Sequence, residues 1–301
     1  MTTSSRPSPR ISHPARILVA LLAFTTVIPA TLLRGADDQR PVVDESKAAL
    51  QTASNASLPT LFIVGDSTAR SNSPLRGWGS EIGAFFDPAK INVVNQAIGG
   101  RSSRTYITEG RWDKVLAMVK PGDIVLIQFG HNDVGNPNDP KAKGRPSLHG
   151  EGEETAEAFK ADLKTMETIH SFGWYMRKFA ADTKARGATP ILLSMVPHKD
   201  WKDGKIVCNE QSTFCQWTQN AAKANGTPYI DVNTIIARGL ERLGPEKVNA
   251  LFGDQRTHST PEGAAYNAAA VVVGLKALTP DPLANDFSPA AGNLPPTLTA
   301  P

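Results

Sequence analysis

From residue 58 onward the chain alternates short apolar runs with longer amphipathic stretches. The apolar runs are TLFIVG (60–65), INVVNQAI (91–98), DIVLIQFG (123–130), TPILLSMV (189–196) and PYIDV (228–232). Most are continuous rather than alternating, which predicts strands of a parallel sheet covered on both faces. Between them, residues 109–120, 171–187, 212–226 and 231–244 read as helices, Gly187 stopping the second. A last helix is expected from Pro261 through EGAAYNAAAVVVGLKAL, because proline suits the first helical turn. The pattern predicts one three-layer α/β/α domain over 58–278, with a mainly parallel sheet of about five strands and no internal repeat.

Three stretches break the rhythm. Residues 134–168 form a long polar segment that begins just beyond a strand's carboxyl end, where loops of such sheets bind ligands. A structureless connection of that length is more often functional than decorative. The tail TPDPLANDFSPAAGNLPPTLTAP (279–301) is rich in proline and predicts an extended or disordered segment. At the other end Arg6, Arg10 and Arg16 precede ILVALLAFTTVI (17–28) and then PATLLRGADD. A basic start followed by a short apolar run predicts a signal peptide over 1–36, cleaved after Ala30 or Ala36. The run is short for a membrane span, and an uncleaved anchor is the alternative reading. No cysteine lies directly after it to carry a lipid. Residues 37–57 read as a linker, and the expectation is a secreted or periplasmic protein with no stable membrane association after cleavage.

This leader changes the charge picture. Residues 1–36 hold four arginines and no Asp or Glu, so the formal +3 of the whole chain becomes −1 without them. A near-neutral chain with no Lys/Arg stripe interleaved with aromatics gives no case for a nucleic-acid partner. The two cysteines, Cys208 and Cys215, have six residues between them, a spacing that does not fit a Cys-x-x-Cys pair. In an oxidising compartment they are expected to form a local disulfide closing a surface loop, with two unpaired thiols as the alternative.

Candidate chemistry gathers where the first three strands end. The first run stops in Gly65, Asp66 and Ser67, followed by Thr68 and Ala69. Read alone, Asp66 or Ser67 is a good helix cap. The second run ends in Gly99 and Gly100, and the third in Gly130, His131, Asn132 and Asp133. A serine, a glycine N–H and an asparagine amide at adjacent strand ends are the parts of an oxyanion hole. The elbow Gly-x-Ser-x-Gly of α/β-hydrolases is absent. A serine nucleophile needs a base. Of His13, His131, His149, His170, His198 and His258, the last is favoured because Asp254 lies four residues before it. If that turn is helical, the two share a face, and the acid could fix the imidazole tautomer.

The ordered set GDS, GGRS, GHND and an acid with His258 before the last helix resembles the SGNH, or GDSL-type, hydrolases. GRSSRTY, FGWYMRKF, VPHKDWKDGKIV and LGPEKVNALFGD look like the rhamnogalacturonan acetylesterase branch of that family. The resemblance spans about 60–278 and implies a flavodoxin-like sheet. It implies Ser67 as nucleophile and His258 as base and then acid. The Ser67 N–H, Gly100 and Asn132 would form the oxyanion hole, His131 being a supporting residue. It implies no metal or other cofactor. One departure stands out: the family's last block is Asp-x-x-His, whereas Gln255 lies three before His258 and Asp254 four. Asp254 must reach across one extra residue, or the enzyme works as a Ser-His dyad.

The function so implied is an exported serine esterase that removes O-acetyl groups from an acetylated plant cell-wall polysaccharide, pectic in type, through an acyl-enzyme. Arg101, Arg104 and the 134–168 segment are candidates to contact an acidic sugar chain through guanidinium–carboxylate pairing. The alternatives are a lipase, aryl esterase or thioesterase of the same fold, and a non-catalytic carbohydrate-binding protein.

Overall fold

A computed structural model of the chain describes residues 1–2, 49–142, 145–160 and 165–300. The expected signal peptide, apart from residues 1–2, and most of the expected linker lie outside the described residues. Among the described residues the strands are β1 (Thr60–Gly65), β2 (Asn92–Asn95), β3 (Ile124–Gln128), β4 (Thr155–Lys160), β5 (Thr165–His170), β6 (Thr189–Leu193), β7 (Trp201–Lys202), β8 (Lys205–Ile206) and β9 (Tyr229–Ile230). The helices are α1 (Ser103–Thr108), α2 (Arg111–Leu116), α3 (Phe172–Ala185), α4 (Asn209–Asn225), α5 (Val232–Leu243), α6 (Pro245–Asn249), α7 (Pro261–Lys276) and α8 (Pro296–Thr299).

All five apolar runs lie in one parallel sheet, in the order β2-β1-β3-β6-β9. Alternation along each strand divides the core in two. Leu61, Ile63, Ile124, Leu126, Ile191 and Leu193 face α5 and α7. Phe62, Val64, Val125, Ile127 and Leu192 face the opposite layer, where Phe129 stacks on Phe179 and Tyr106 and Trp112 meet that pair tilted or edge-on. This is the expected three-layer α/β/α architecture. The chain leaves β1 for one edge and returns to pair β3 on its other side, so the sheet reverses direction of growth between β1 and β3. In open α/β sheets that crevice, at the carboxyl ends, is where ligands bind.

Several expectations change. The segment 134–168 is not structureless, because β4 and β5 pair as an antiparallel hairpin within and beyond it. The tail is not extended: Leu283, Ala291 and Leu298 are buried in the core beside α5 and α7, and Phe287 stacks on Phe86. Its polar composition hides a few apolar anchors that are satisfied only by distant parts of the chain. Residues 49–57 also dock. The Gln51 side chain accepts from the Asn95 N–H, and Ser54 bonds Asn92 on the edge strand β2.

The expected disulfide is absent. Cys208 and Cys215 carry free thiols, Cys208 at the N-cap of α4 and Cys215 one helical stretch further on. Seven residues of helical rise separate their backbones by roughly 10 Å, beyond the span of a disulfide. The Cys208 thiol instead donates to Asn233 Oδ1 at 2.7 Å. Burial pushes the Cys215 thiol up to about 12, so it stays protonated.

Candidate active site

Ser67 stands two residues beyond the end of β1, on a turn that sequence alone assigns to a helix cap. No regular helix follows it. Ala69 and Arg70 both donate to the Asp66 carbonyl, at 3.1 Å each, and close a single turn. Asp66, wholly buried, accepts from the Thr68 N–H and hydroxyl through Oδ1. Thr68 accepts in turn from Gln128 Nε2, and Gln128 Oε1 receives the Trp78 indole N–H. The carboxylate thus folds the turn around itself, and Ser67 is left out of the capping network. Gly65 permits the close approach beneath: a Cβ there would lie 2.7 Å from the Gln128 carbonyl oxygen.

The Ser67 Oγ lies 2.9 Å from His258 Nε2, and His258 Nδ1 lies 2.6 Å from Asp254 Oδ2. Asp254 Oδ1 accepts three backbone N–H bonds, from Arg256, Thr257 and His258. Burial opposes its ionisation, but those backbone bonds together with the His258 side chain prevail and hold its pKa at about 2. An ionised Asp254 can only accept, so Nδ1 carries the proton and Nε2 presents a lone pair to the serine hydroxyl. The turn is not helical as expected from the spacing. Gly253 donates to the His258 carbonyl and Phe252 bridges Ser259, closing a small loop in which Asp254 folds back onto the histidine. That loop absorbs the extra residue, Gln255.

Gly100 and Asn132 lie at the ends of β2 and β3, the two strands that flank β1. Gly100 has φ +76°, a left-handed conformation that glycine adopts without strain. Asn132 Nδ2 donates to the Arg101 carbonyl at 3.2 Å, which joins the two loops. Asp133 reinforces the junction by accepting from both the N–H and the hydroxyl of Ser103 at the start of α1. An amide nitrogen has two hydrogens, so one Asn132 N–H remains for a ligand.

Two further groups lie near the serine: His131, expected as a supporting residue, and Arg145, which the sequence did not single out. His131 places Nδ1 3.3 Å from Asp66 Oδ2 and Nε2 3.1 Å from the Val196 carbonyl, tying the serine turn to the loop after β6. Despite its burial, Asp66 titrates below the usual carboxylate range because of the His131 charge and the His131 and Thr68 hydrogen bonds. Arg145, from the 134–168 segment, donates through Nη1 to Asn132 Oδ1 at 3.0 Å. A lone arginine in a polar stretch carries no pattern that could have found it.

The two arginines expected to face an acidic chain part company. Arg104 is buried, with two bonds to Glu167 on β5 and one to the Pro146 carbonyl, so it anchors the insert and presents nothing to a substrate. Arg101 keeps partial exposure while pairing with Glu109 at 2.8 Å. Among the described residues, no group of three His, Cys, Asp or Glu side chains is placed to hold a metal ion.

A serine, a histidine and an ionised carboxylate in hydrogen-bonded series, beside neighbouring donors, can move a proton off a hydroxyl and stabilise an oxyanion. The model of the GDSL-like lipase/acylhydrolase family matches residues 63–266. The chain belongs to this family, and it is a carboxylic ester hydrolase. It is 34% identical over 212 residues to the rhamnogalacturonan acetylesterase of Emericella nidulans, covering 70% of this chain and 82% of that one. It is 28% identical over 226 residues to the probable rhamnogalacturonan acetylesterase YesY of Bacillus subtilis, covering 72% and 93%. Among solved structures, YxiM of Bacillus subtilis superposes with a TM-score of 0.57 at 25% identity, over 73% of this chain and 56% of that one.

Proposed function

We propose that this protein is an exported carbohydrate acetylesterase that deacetylates a plant cell-wall polysaccharide, with rhamnogalacturonan as the preferred chain. The observation that carries the chemistry is the series Ser67 Oγ, His258 and Asp254, at 2.9 and 2.6 Å. Similarity to two relatives named as rhamnogalacturonan acetylesterases supports the substrate, and the basic-then-apolar leader supports export.

In this scheme Ser67 Oγ attacks the acetyl carbonyl carbon as its proton passes to His258 Nε2. The carbonyl oxygen becomes an oxyanion that accepts from the Ser67 and Gly100 N–H groups and from Asn132 Nδ2. Collapse breaks the bond to the sugar oxygen, which leaves with the proton from His258, and Ser67 holds the acetyl group. Water, deprotonated by His258, attacks the acetyl-serine. Acetate departs, and Ser67 regains its proton. Asp254 stabilises the imidazolium formed in both halves. Arg101, next to Gly100 and partly exposed, would meet a uronate carboxylate by exchanging its Glu109 partner for it.

The test is acetate release from acetylated rhamnogalacturonan compared with acetylated xylan. The proposal expects the first polymer to be deacetylated faster by at least tenfold. Equal rates on both, or no release from either, would reject the substrate preference.

A further inference from the structure

Asn132 can serve an oxyanion only if its nitrogen, not its oxygen, faces the substrate. Nothing in the residue itself decides this, since the two ends of a carboxamide differ only in hydrogen bonding. Here both ends have partners that settle the orientation. The Arg101 carbonyl can only accept, and it takes one Nδ2 hydrogen. The Arg145 guanidinium can only donate, and it takes Oδ1 at 3.0 Å. We propose that Arg145 is a positioning residue that locks the Asn132 amide with Nδ2 toward the oxyanion, an inference that rests on reading Asn132 as an oxyanion donor.

Arg145 is delivered by an anchored backbone. The next residue, Pro146, has its carbonyl held by buried Arg104 at 2.9 Å, and Leu148 bonds the His170 carbonyl at the end of β5. The guanidinium also borders Gly100: a Cβ there would lie 3.7 Å from Arg145 Nη1. Among the described residues no carboxylate lies within ion-pair distance of it. Burial first, and the charge of Arg101 second, make its proton easier to lose than that of an ordinary arginine. A cation left half-buried beside another cation, with an asparagine oxygen as its hydrogen-bond partner, fits a role directed at Asn132 better than a general stabilising one. Its positive charge also lies on the side where negative charge develops.

The experiment is a double-mutant cycle on p-nitrophenyl acetate, an uncharged substrate that needs no polysaccharide contact. Arg145→Ala and Arg145→Met should lower kcat by roughly 10–100-fold, the cost of a misplaced catalytic group, with KM nearly unchanged. Arg145→Lys, which still offers an N–H to Oδ1, should recover most of kcat. In an Asn132→Ala background, removing Arg145 should cost less than twofold, because the residue it positions is gone. Equal losses in both backgrounds would overturn the inference, as would full kcat for Arg145→Met on this ester with a defect confined to acidic polysaccharide. Wild-type kcat in Asn132→Ala would instead remove the oxyanion reading itself and the inference with it.

Discussion

At the scale of single residues, the site depends on how one carboxylate reaches one imidazole. Asp254 does so through a loop, not a helical face, with one oxygen on three backbone N–H groups and the other on His258. Replacing it by Asn keeps the shape but lets the ring adopt the wrong tautomer, so Asp254→Asn should lower kcat on the order of 10³–10⁴-fold. Gln255 takes no part in that series, and Gln255→Ala should keep kcat within about twofold, as expected of a substitution that removes no group touching the reacting atoms. Steady-state kinetics on p-nitrophenyl acetate checks both; an active Asp254→Asn enzyme would mean that Ser67 and His258 suffice. The meeting of Ser67 with His258 was legible because a strand ending in GDS and an acid-His pair before a terminal helix carry recognisable order. Arg145 was not, and Arg104 was misjudged, because nothing in a local sequence distinguishes an arginine clamped on Glu167 from one in solvent.

At the scale of elements, the ends of β1, β2 and β3 act as a unit bound from below. Gly65 is a point where backbone meets backbone, and Gly65→Ala should destabilise by about 1–3 kcal/mol, because a methyl against a backbone oxygen forces the strands apart. The loop after β6 gives a pH signature. Burial, the nearby His131 ring and the Arg256 charge press the His198 pKa down to about 4. The unfolded chain takes up that proton near pH 6.5, so the fold loses stability as pH falls from about 6.5 toward 4. His198→Gln should remove this part of the slope, read as a smaller drop in urea midpoint between pH 7 and pH 5. An unchanged drop would place the titration elsewhere. The five sheet strands were readable from apolar runs alone, since burial on both faces leaves no polar alternation to misread. The β4–β5 hairpin was hidden by its polar content: Ile169 and Ala158 are buried, while Phe159 and Met166 are exposed.

At the scale of the whole molecule, the C-terminal segment belongs to the core. Leu298 is 5% exposed, Arg242 donates to the Thr297 carbonyl, and Tyr266 hydrogen-bonds the Thr297 hydroxyl. Leu298→Ala should therefore cost about 2–5 kcal/mol, the range for deleting a buried leucine side chain. Denaturant unfolding measures it; a change within 0.5 kcal/mol, roughly that of a surface substitution, would return the tail to the extended or disordered segment its composition predicts. Composition could not reveal this, because the prolines that suggest disorder also set short turns between three distant anchors. The same limit applied to the cysteines: compartment and spacing favoured a disulfide, but a helix N-cap and the helix it begins keep the two thiols apart.

The central claim is that Ser67 is the nucleophile of an ester hydrolase whose proton moves through His258. It is tested most directly by kcat/KM on p-nitrophenyl acetate for the wild type and Ser67→Ala, with thermal unfolding of both as the control for folding. The account predicts a loss of at least about 10³-fold at an unchanged unfolding temperature, since removing the nucleophile of such a series leaves only binding and the oxyanion donors. Wild-type activity in a folded Ser67→Ala protein would contradict it.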